Sequence, residues 1–421
     1  MNIRKKILAN GLFFVMTMWL FSRLLIAITM LLIAPLFPTS SPGVAATFSW
    51  DVFYAWDSFW YERIVTSGYD FSSQVKEMHA VAFFPLFPLL SRIIMFIGLP
   101  FKVAAILVNN GAFLAALIIL YFWVQELYGT TTARWATATL AWCPYSLYGT
   151  VIYTEGLFLL CTTSALRAFD KKQYIWAAFW GALSTATRLP GVALIPAFLF
   201  VSWKERRGIK AYIASLAVGL GISLYSLYCQ IQFGDALAFI HAQKAWRGDA
   251  TGFAWQGWWQ MLMEITIGFT NWKSGYIKDF LHPLFFLIII VSGCLLWRFQ
   301  VHLGMIKFRY GLYFLWLSLW VLAKDELVKI ALVFGGIYLL WLSRAKIPLV
   351  TVAYGFSSFA LILNTGITAS SERYAYGIIS LSMAFGLLLS HYPRWGYPIM
   401  YFFGILMFTF SIRFAHDLWV A

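Results

Sequence analysis

Charge is what this sequence has least of. Lys, Arg, Asp and Glu make up 11% of its 421 residues against 61% hydrophobic residues, where a water-soluble domain carries roughly 25% charged residues. A soluble domain with a hydrated surface is therefore excluded. Cysteine is also sparse: Cys143, Cys161, Cys229 and Cys294 lie inside or at the edges of apolar runs, with no spacing that suggests a disulfide framework or a metal site. There is no GxxxxGK[ST] phosphate loop and no HExxH helix. No tight DxD-like acid cluster is present to hold a nucleotide sugar through a metal. Nor is there a repeat with interrupted helices in matching positions, which counts against an ion-coupled transporter.

What the chain has is apolar runs from end to end, each near the roughly 20 residues that span a hydrocarbon core. Backbone groups in lipid need internal partners, so runs of this length are expected to be helical and the protein to be an all-α polytopic membrane protein. Candidate spans are 8–36, 101–122, 135–149, 155–169, 174–189, 190–202, 211–231, 282–299, 308–323, 327–342, 348–367, 374–390 and 396–415. That gives twelve or thirteen crossings, because 174–202 reads equally as a hairpin or as one span bent at Pro190. The run from Leu8 to Leu36 follows Arg4, Lys5 and Lys6 without a small-residue cleavage site, and reads as a retained first helix.

With the amino terminus in the cytoplasm, Lys171/Lys172, Lys204/Arg206/Arg207/Lys210, Lys307/Arg309 and Arg344/Lys346 all fall on the cytoplasmic side, as the positive-inside bias requires. The net charge of +14 is then a topological signal, and no nucleic-acid partner is expected. The same orientation leaves only Glu126, Asp170 and Glu205 of the 17 acids inside. Acids contribute little to topology, so their segregation points to chemistry on the outer face.

Two outer segments are long, about 37–101 and about 232–281. Neither has the length or charge of a soluble domain, and both are expected to carry amphipathic helices with Trp and Tyr at headgroup level. Within 83–98, Pro85 and Pro88 suggest an interfacial or re-entrant helix that begins after the prolines. The first segment contains WDSFWYERIVTSGYD, Trp56 to Asp70. As a helix it sets Asp57 and Tyr61 at i and i+4 and pairs Trp56 with Trp60 beside them: one carboxylate on an aromatic surface. Asp57 reads as a general base or hydroxyl anchor, or as a plain helix cap stabilising by about 1 kcal/mol. Burial against aromatic rings strengthens a carboxylate as a base, and a phosphate on the second substrate needs Arg or Lys to neutralise it.

Phosphate-binding candidates on the outer side are Arg188, Lys244, Arg247 and Arg373. Glu155 lies at the edge of a strongly apolar run, where an acid faces a cavity or pairs with a cation, here Arg188 or Arg23. Arg23, inside the first span, is expected to be structural and to require a carboxylate or phosphate. Arg188 precedes Pro190 by two residues and either binds phosphate or snorkels. Arg373 and Tyr374 open a late span beside Glu372, a competing partner. In HAQKAWRGD, His241 is a titratable group, Gln243 both donates and accepts, and Trp246 stacks on a sugar or sits in the headgroup belt. His79 is a secondary catalytic candidate or an ordinary loop histidine.

The blocks WDSFWYERIVTSGYD, AFFPLFPLLSR, WCPYSLYGTVIYTEGLFLL, STATRLPG, HAQKAWRG and ERY, in order from roughly residue 50 to 376, resemble the PIG-V family of multi-spanning mannosyltransferases. That family includes the GPI mannosyltransferase that adds the second mannose; the present blocks are most similar to its bacterial relatives, in glycosyltransferase superfamily C. The resemblance implies transfer of a hexose, usually mannose, from a polyprenyl-phosphate donor on the non-cytoplasmic face of a bacterial inner membrane. No cofactor and no metal dependence are expected. It implies Asp57 as catalytic base with Asp51 in reserve, and Glu155, Arg188, Gln243, Trp246 and Arg373 as site residues. Trp56, Tyr61, His241 and Tyr374 complete the expected substrate-binding set. The acceptor, lipid, glycan or protein, is open. Two other readings stand beside this one, a lipid or solute transporter or flippase and a non-catalytic assembly subunit; the one-sided acids speak against the first.

Overall fold

The computed structural model describes all residues except 1, 2, 40, 73–76, 249 and 421; nothing is described of the side chains of residues 3–7, which include Arg4, Lys5 and Lys6. The helices, in chain order, are α1 Ile3–Ile28, α2 Asp57–Ser67, α3 Leu86–Met95, α4 Phe101–Trp142, α5 Glu155–Asp170, α6 Tyr174–Thr187, α7 Leu194–Lys204, α8 Ile209–Ala217, α9 Leu220–Phe233, α10 Ala238–Ala242, α11 Lys244–Arg247, α12 Trp255–Ile267, α13 Phe269–Ser274, α14 Leu281–Arg298, α15 Gln300–Ser343, α16 Leu349–Leu363, α17 Ser371–Tyr376, α18 Ile379–His391 and α19 Pro393–Ala415. The protein is all-α and multi-pass.

Among the described residues, six helical stretches are long and apolar enough to cross a bilayer, with four shorter apolar helices of 10–17 residues. The larger sequence-based count differs because several expected spans are joined or short. Helix α4 has 42 residues and α15 has 44, about twice the length of one crossing. Each is broken internally, α4 at Gly129 (φ 85°) and α15 at Gly304 (φ 74°) and Lys324 (φ 50°). The 174–202 stretch is two helices separated by the extended residue Arg188 and a short 3₁₀ turn, Leu189–Ala193. The late span begins at Ile379, with α17 separate from it. Helix α3 starts at Leu86, between the two prolines rather than after them. Pro88 falls in its first turn, where a missing N–H breaks no intrahelical bond.

The chain forms two compact units: Met1–Asp249 with Leu339–Leu361 and Tyr376–Ala421, and Ala250–Tyr338 with Ile362–Ala375. In unit 1, α4 is the central element and packs against α1, α3, α5 and α18, while α6 packs against α5, α8 and α9. The α4–α5 contact is close because residue 156 is glycine: a Cβ there would lie 2.3 Å from the Asn109 carbonyl oxygen. Tyr61, Phe87, Phe101, Ile152 and Leu157 form one buried apolar cluster of this unit, and Phe84, Tyr225 and Phe239 belong to another. In unit 2, α14 buries none of its 18 residues, as expected of a helix whose solvent is lipid.

Candidate functional site

Helix α2 begins at a strained turn. Trp56 has φ 55° and ψ −109°, a costly conformation for a bulky residue, and it caps the helix without a side-chain hydrogen bond. Asp57 is thus the first helical residue and not the cap, half-buried, where the helix dipole favours a carboxylate. The turn is tied to the segment before α5. The Asp57 backbone N–H donates to the Tyr153 hydroxyl at 3.4 Å, Ser58 Oγ donates to the Ile152 carbonyl at 3.1 Å, and the Ile152 N–H donates to the Phe53 carbonyl at 3.3 Å.

That segment is itself held from α4 and α1. Asn109 Nδ2 donates to the carbonyls of Tyr148 (2.7 Å) and Val151 (2.8 Å), its Oδ1 accepts from Gly156 N–H at 2.8 Å, and Asn110 Nδ2 donates to the Thr150 carbonyl at 2.9 Å. Arg23, 6% exposed, donates to the Ser146 carbonyl, Thr150 Oγ1, Ser146 Oγ and the Ala141 carbonyl at 2.6–3.2 Å. Its guanidinium also lies 4.7 Å from the Phe113 ring centroid. The expected carboxylate or phosphate is replaced by oxygens of the 141–150 turn, which act as acceptors for a buried cation.

The aromatic partners of α2 come from other blocks. Trp60 stacks on Phe83 at 5.8 Å and meets Trp246 edge-on at 5.7 Å, and Tyr61 packs edge-on against Phe83 and Phe87. Gln243 Nε2 donates to the Ala82 carbonyl at 3.2 Å, which ties the start of α11 to the 3₁₀ turn Ala80–Ala82 next to Phe83. Lys244 and Arg247 are carried on α11 with Trp246. Trp56 does not pair with Trp60: its strained backbone sends the ring to Trp419, edge-on at 5.1 Å. Burial pushes the Tyr61 phenol up, with Asp57 adding to the rise and Arg188 opposing it, so both charges act on one phenol.

Glu155 and Arg188 form an ion pair with side chains 1% and 13% exposed, and the Glu155 carboxylate also accepts from Thr154 N–H at 3.1 Å. Of the alternatives weighed from sequence, Arg188 and not Arg23 is the cation Glu155 meets. Asp51 is paired with Lys102 and accepts from Ser49 Oγ at 2.9 Å. The Lys102 hydrogen bond holds its carboxyl below the usual range, with Ser49 helping and slight desolvation opposing. His79 Nδ1 meets Asp70 Oδ2 at 3.0 Å, and Asp70 in turn meets Arg63 at 3.3 Å. His241 Nδ1 lies 2.6 Å from Asp235 Oδ2.

Arg373 and Tyr374 belong to unit 2. Arg373 is 6% exposed with its guanidinium 5.5 Å from the Tyr374 ring centroid. Glu372, the expected competitor, is engaged by Lys329 at 3.3 Å. Asp249, at the end of HAQKAWRGD, lies outside the described residues.

Unit 1 therefore brings Asp57, Tyr61, Glu155, Arg188, Gln243 and Trp246 into one connected framework. Sequence reading missed Asn109 and Asn110, which act on backbone groups and carry no motif, and gave no role to Tyr153, although it lies within the block WCPYSLYGTVIYTEGLFLL. It also missed the carboxyl-terminal tail, where His416 Nε2 contacts the Ala34 carbonyl at 3.1 Å and Trp419 meets Trp56. Among the described residues no three His, Cys, Asp or Glu side chains are grouped to hold a metal.

No protein-family model matches the chain, and no curated protein matches it significantly. Among solved structures it is similar to the oligosaccharyltransferase of Archaeoglobus fulgidus in its apo form: 12% identity, 96% of this chain and 56% of that one, TM-score 0.48. The same enzyme in complex with zinc and sulfate gives 13% identity, 94% and 53%, and 0.46. ArnT from Cupriavidus metallidurans, bound to undecaprenyl phosphate, gives 11% identity, 93% and 77%, and 0.39. The chain thus spans just over half the length of the oligosaccharyltransferase, and likenesses of this extent assign it no chemistry. The zinc-bound structure nonetheless corrects one expectation: that metal plays no part is not retained.

Proposed function

We propose that the protein is an inverting glycosyltransferase that moves a hexose, mannose by resemblance, from a polyprenyl-phosphate donor to an acceptor hydroxyl on the non-cytoplasmic face of a bacterial inner membrane. The observation that carries this reading is the meeting of five resembling blocks in unit 1 around a half-buried Asp57, which opens α2 from a strained turn. Such strain persists only where surrounding structure enforces it, and it clusters at functional sites.

In the proposed step, the Asp57 carboxylate accepts the proton of the acceptor hydroxyl as that oxygen bonds to the anomeric carbon. The bond from that carbon to the phosphate oxygen breaks on the opposite face, and the polyprenyl phosphate leaves with the electron pair. General-base assistance contributes about 100-fold or more, and holding both substrates together contributes further through positioning. Arg188 is already compensated by Glu155, which suits it to shaping the site. The leaving phosphate is assigned to the basic residues of α11, Lys244 and Arg247, which share that short helix with Trp246, itself packed on Trp60. Arg373 is the corresponding candidate in unit 2. Asp51, tied to Lys102, and His79, tied to Asp70, are positioning groups in this account.

The test incubates the purified protein with a panel of polyprenyl-phosphate hexoses and pentoses and candidate acceptors. Acceptor-dependent release of polyprenyl phosphate with one sugar supports the reading, and no release with any sugar overturns it.

A further inference from the structure

The tryptophan-rich stretch FAWQGWWQ is not used by the function proposed above, yet it lines a cavity. In unit 2 the segment leading into α12 and the loop before α17 border an open cleft of about 450 Å³, with Thr251, Trp255, Gln256, Gly257, Gly366 and Thr368 among the lining residues. The two walls are joined by backbone. Gly252 and Thr365 form an isolated parallel bridge, and Gly366 N–H donates to the Gly252 carbonyl at 2.8 Å. Only glycine permits this approach: Gly366 has φ +79°, and a Cβ there would lie 2.4 Å from the carbonyl carbon of Ala250.

The chemistry of the lining is specific. None of its residues is charged. The α12 N-cap is Ala254, which offers no side-chain cap; the Trp255 N–H donates to the Phe253 carbonyl at 2.8 Å, and the amides of Gln256 and Gly257 lack the partner that Ser or Asp at the cap supplies. The side chains of Thr251 and Gln256 are exposed and that of Thr368 half-buried, so their polar groups face the open cleft, and Trp255 is 61% exposed. Donors and acceptors of both kinds thus surround one open indole without net charge. No lysine or arginine lines the cleft to pair with a phosphate or carboxylate. A pyranose presents what the lining lacks: hydroxyls that both donate and accept, and an apolar C–H face for the indole. The volume lies within the 300–1,000 Å³ range of small-ligand sites.

We propose that this cavity binds an uncharged saccharide, with the sugar's C–H face on Trp255 and its hydroxyls on Gln256, Thr251, Thr368 and the amides of Gln256 and Gly257. Its assignment as the acceptor sugar rests on the transferase reading; its geometry is that of unit 2 alone.

The test uses the full-length protein in nanodiscs and saturation-transfer NMR with methyl α-mannopyranoside, mannobiose and glucose 6-phosphate as probes. The neutral sugars are expected to bind, the phosphorylated sugar to bind more weakly, and Trp255→Ala and Gln256→Ala each to weaken neutral-sugar binding at least tenfold. In parallel, slow release of lipid phosphate from polyprenyl-phosphate mannose to water is read without any acceptor, and both variants are expected to leave it unchanged. Neutral-sugar binding unaltered by both substitutions, or tighter binding of glucose 6-phosphate, overturns the inference while leaving the transferase reading intact. Absent lipid-phosphate release in the unsubstituted protein, with sugar binding still lost in the variants, removes the transferase reading and supports saccharide binding by the cavity.

Discussion

Glu155 and Arg188 are both largely withdrawn from solvent, and removing one member of such a pair strands the other's charge. Loss of one partner of a buried pair costs about 3–5 kcal/mol, whereas an exposed pair contributes about 1 kcal/mol or less. Glu155→Gln is therefore expected to lower the thermal unfolding midpoint in detergent well below that of Asp51→Asn, since the Asp51 side chain is 62% exposed. Equal midpoints for the two variants would contradict the buried-pair account. The Asp51–Lys102 contribution also has a pH signature. The folded Asp51 value lies below 3.8, so this contribution is present at neutral pH and lost as pH falls through that depressed value. At this scale the place of Asp57 at the start of a helix rich in aromatics was legible, because an acid set among aromatics in a greasy chain is conspicuous. The role of Trp56 was not, because its positive φ and its contact with Trp419 are tertiary facts that helical spacing cannot encode.

Among the elements, the apolar runs were legible and the breaks within them were not. Composition shows that a run is long enough to cross lipid; it does not show that Gly129 or Lys324 leaves the helical region inside a continuing helix. Asn109 was illegible for a related reason. An asparagine within an apolar helix reads as a tolerated polar residue, yet here it is the clamp between α4 and the turn that supports Asp57. Asn109→Leu leaves the carbonyls of Tyr148 and Val151 and the Gly156 N–H without that partner, at about 1–3 kcal/mol each. We expect its unfolding midpoint to fall at least as far as that of Glu155→Gln, with turnover falling as well because the segment beneath α2 loosens. An unchanged midpoint would show that the clamp is dispensable.

For the whole molecule, the sequence yielded an all-α multi-pass chain and the blocks that meet in unit 1. The division into two units was not legible, because both are built from the same apolar residue types and no linker composition marks the crossings at 249/250, 338/339, 361/362 and 375/376. Orientation is a property of the entire chain and is set by its basic loops. In a cysteine-free background, Ser67→Cys is expected to react with a membrane-impermeant maleimide from outside sealed right-side-out vesicles, and Arg206→Cys only after permeabilisation; the reverse pattern places the Asp57 turn in the cytoplasm and ends the proposal. The most direct measurement is the turnover of Asp57→Asn with the polyprenyl-phosphate sugar that the unsubstituted protein uses, read beside donor binding and the unfolding midpoint. The account predicts a loss of about 100-fold or more in rate with donor affinity and folding nearly unchanged. Full turnover by a normally folded Asp57→Asn protein would contradict it.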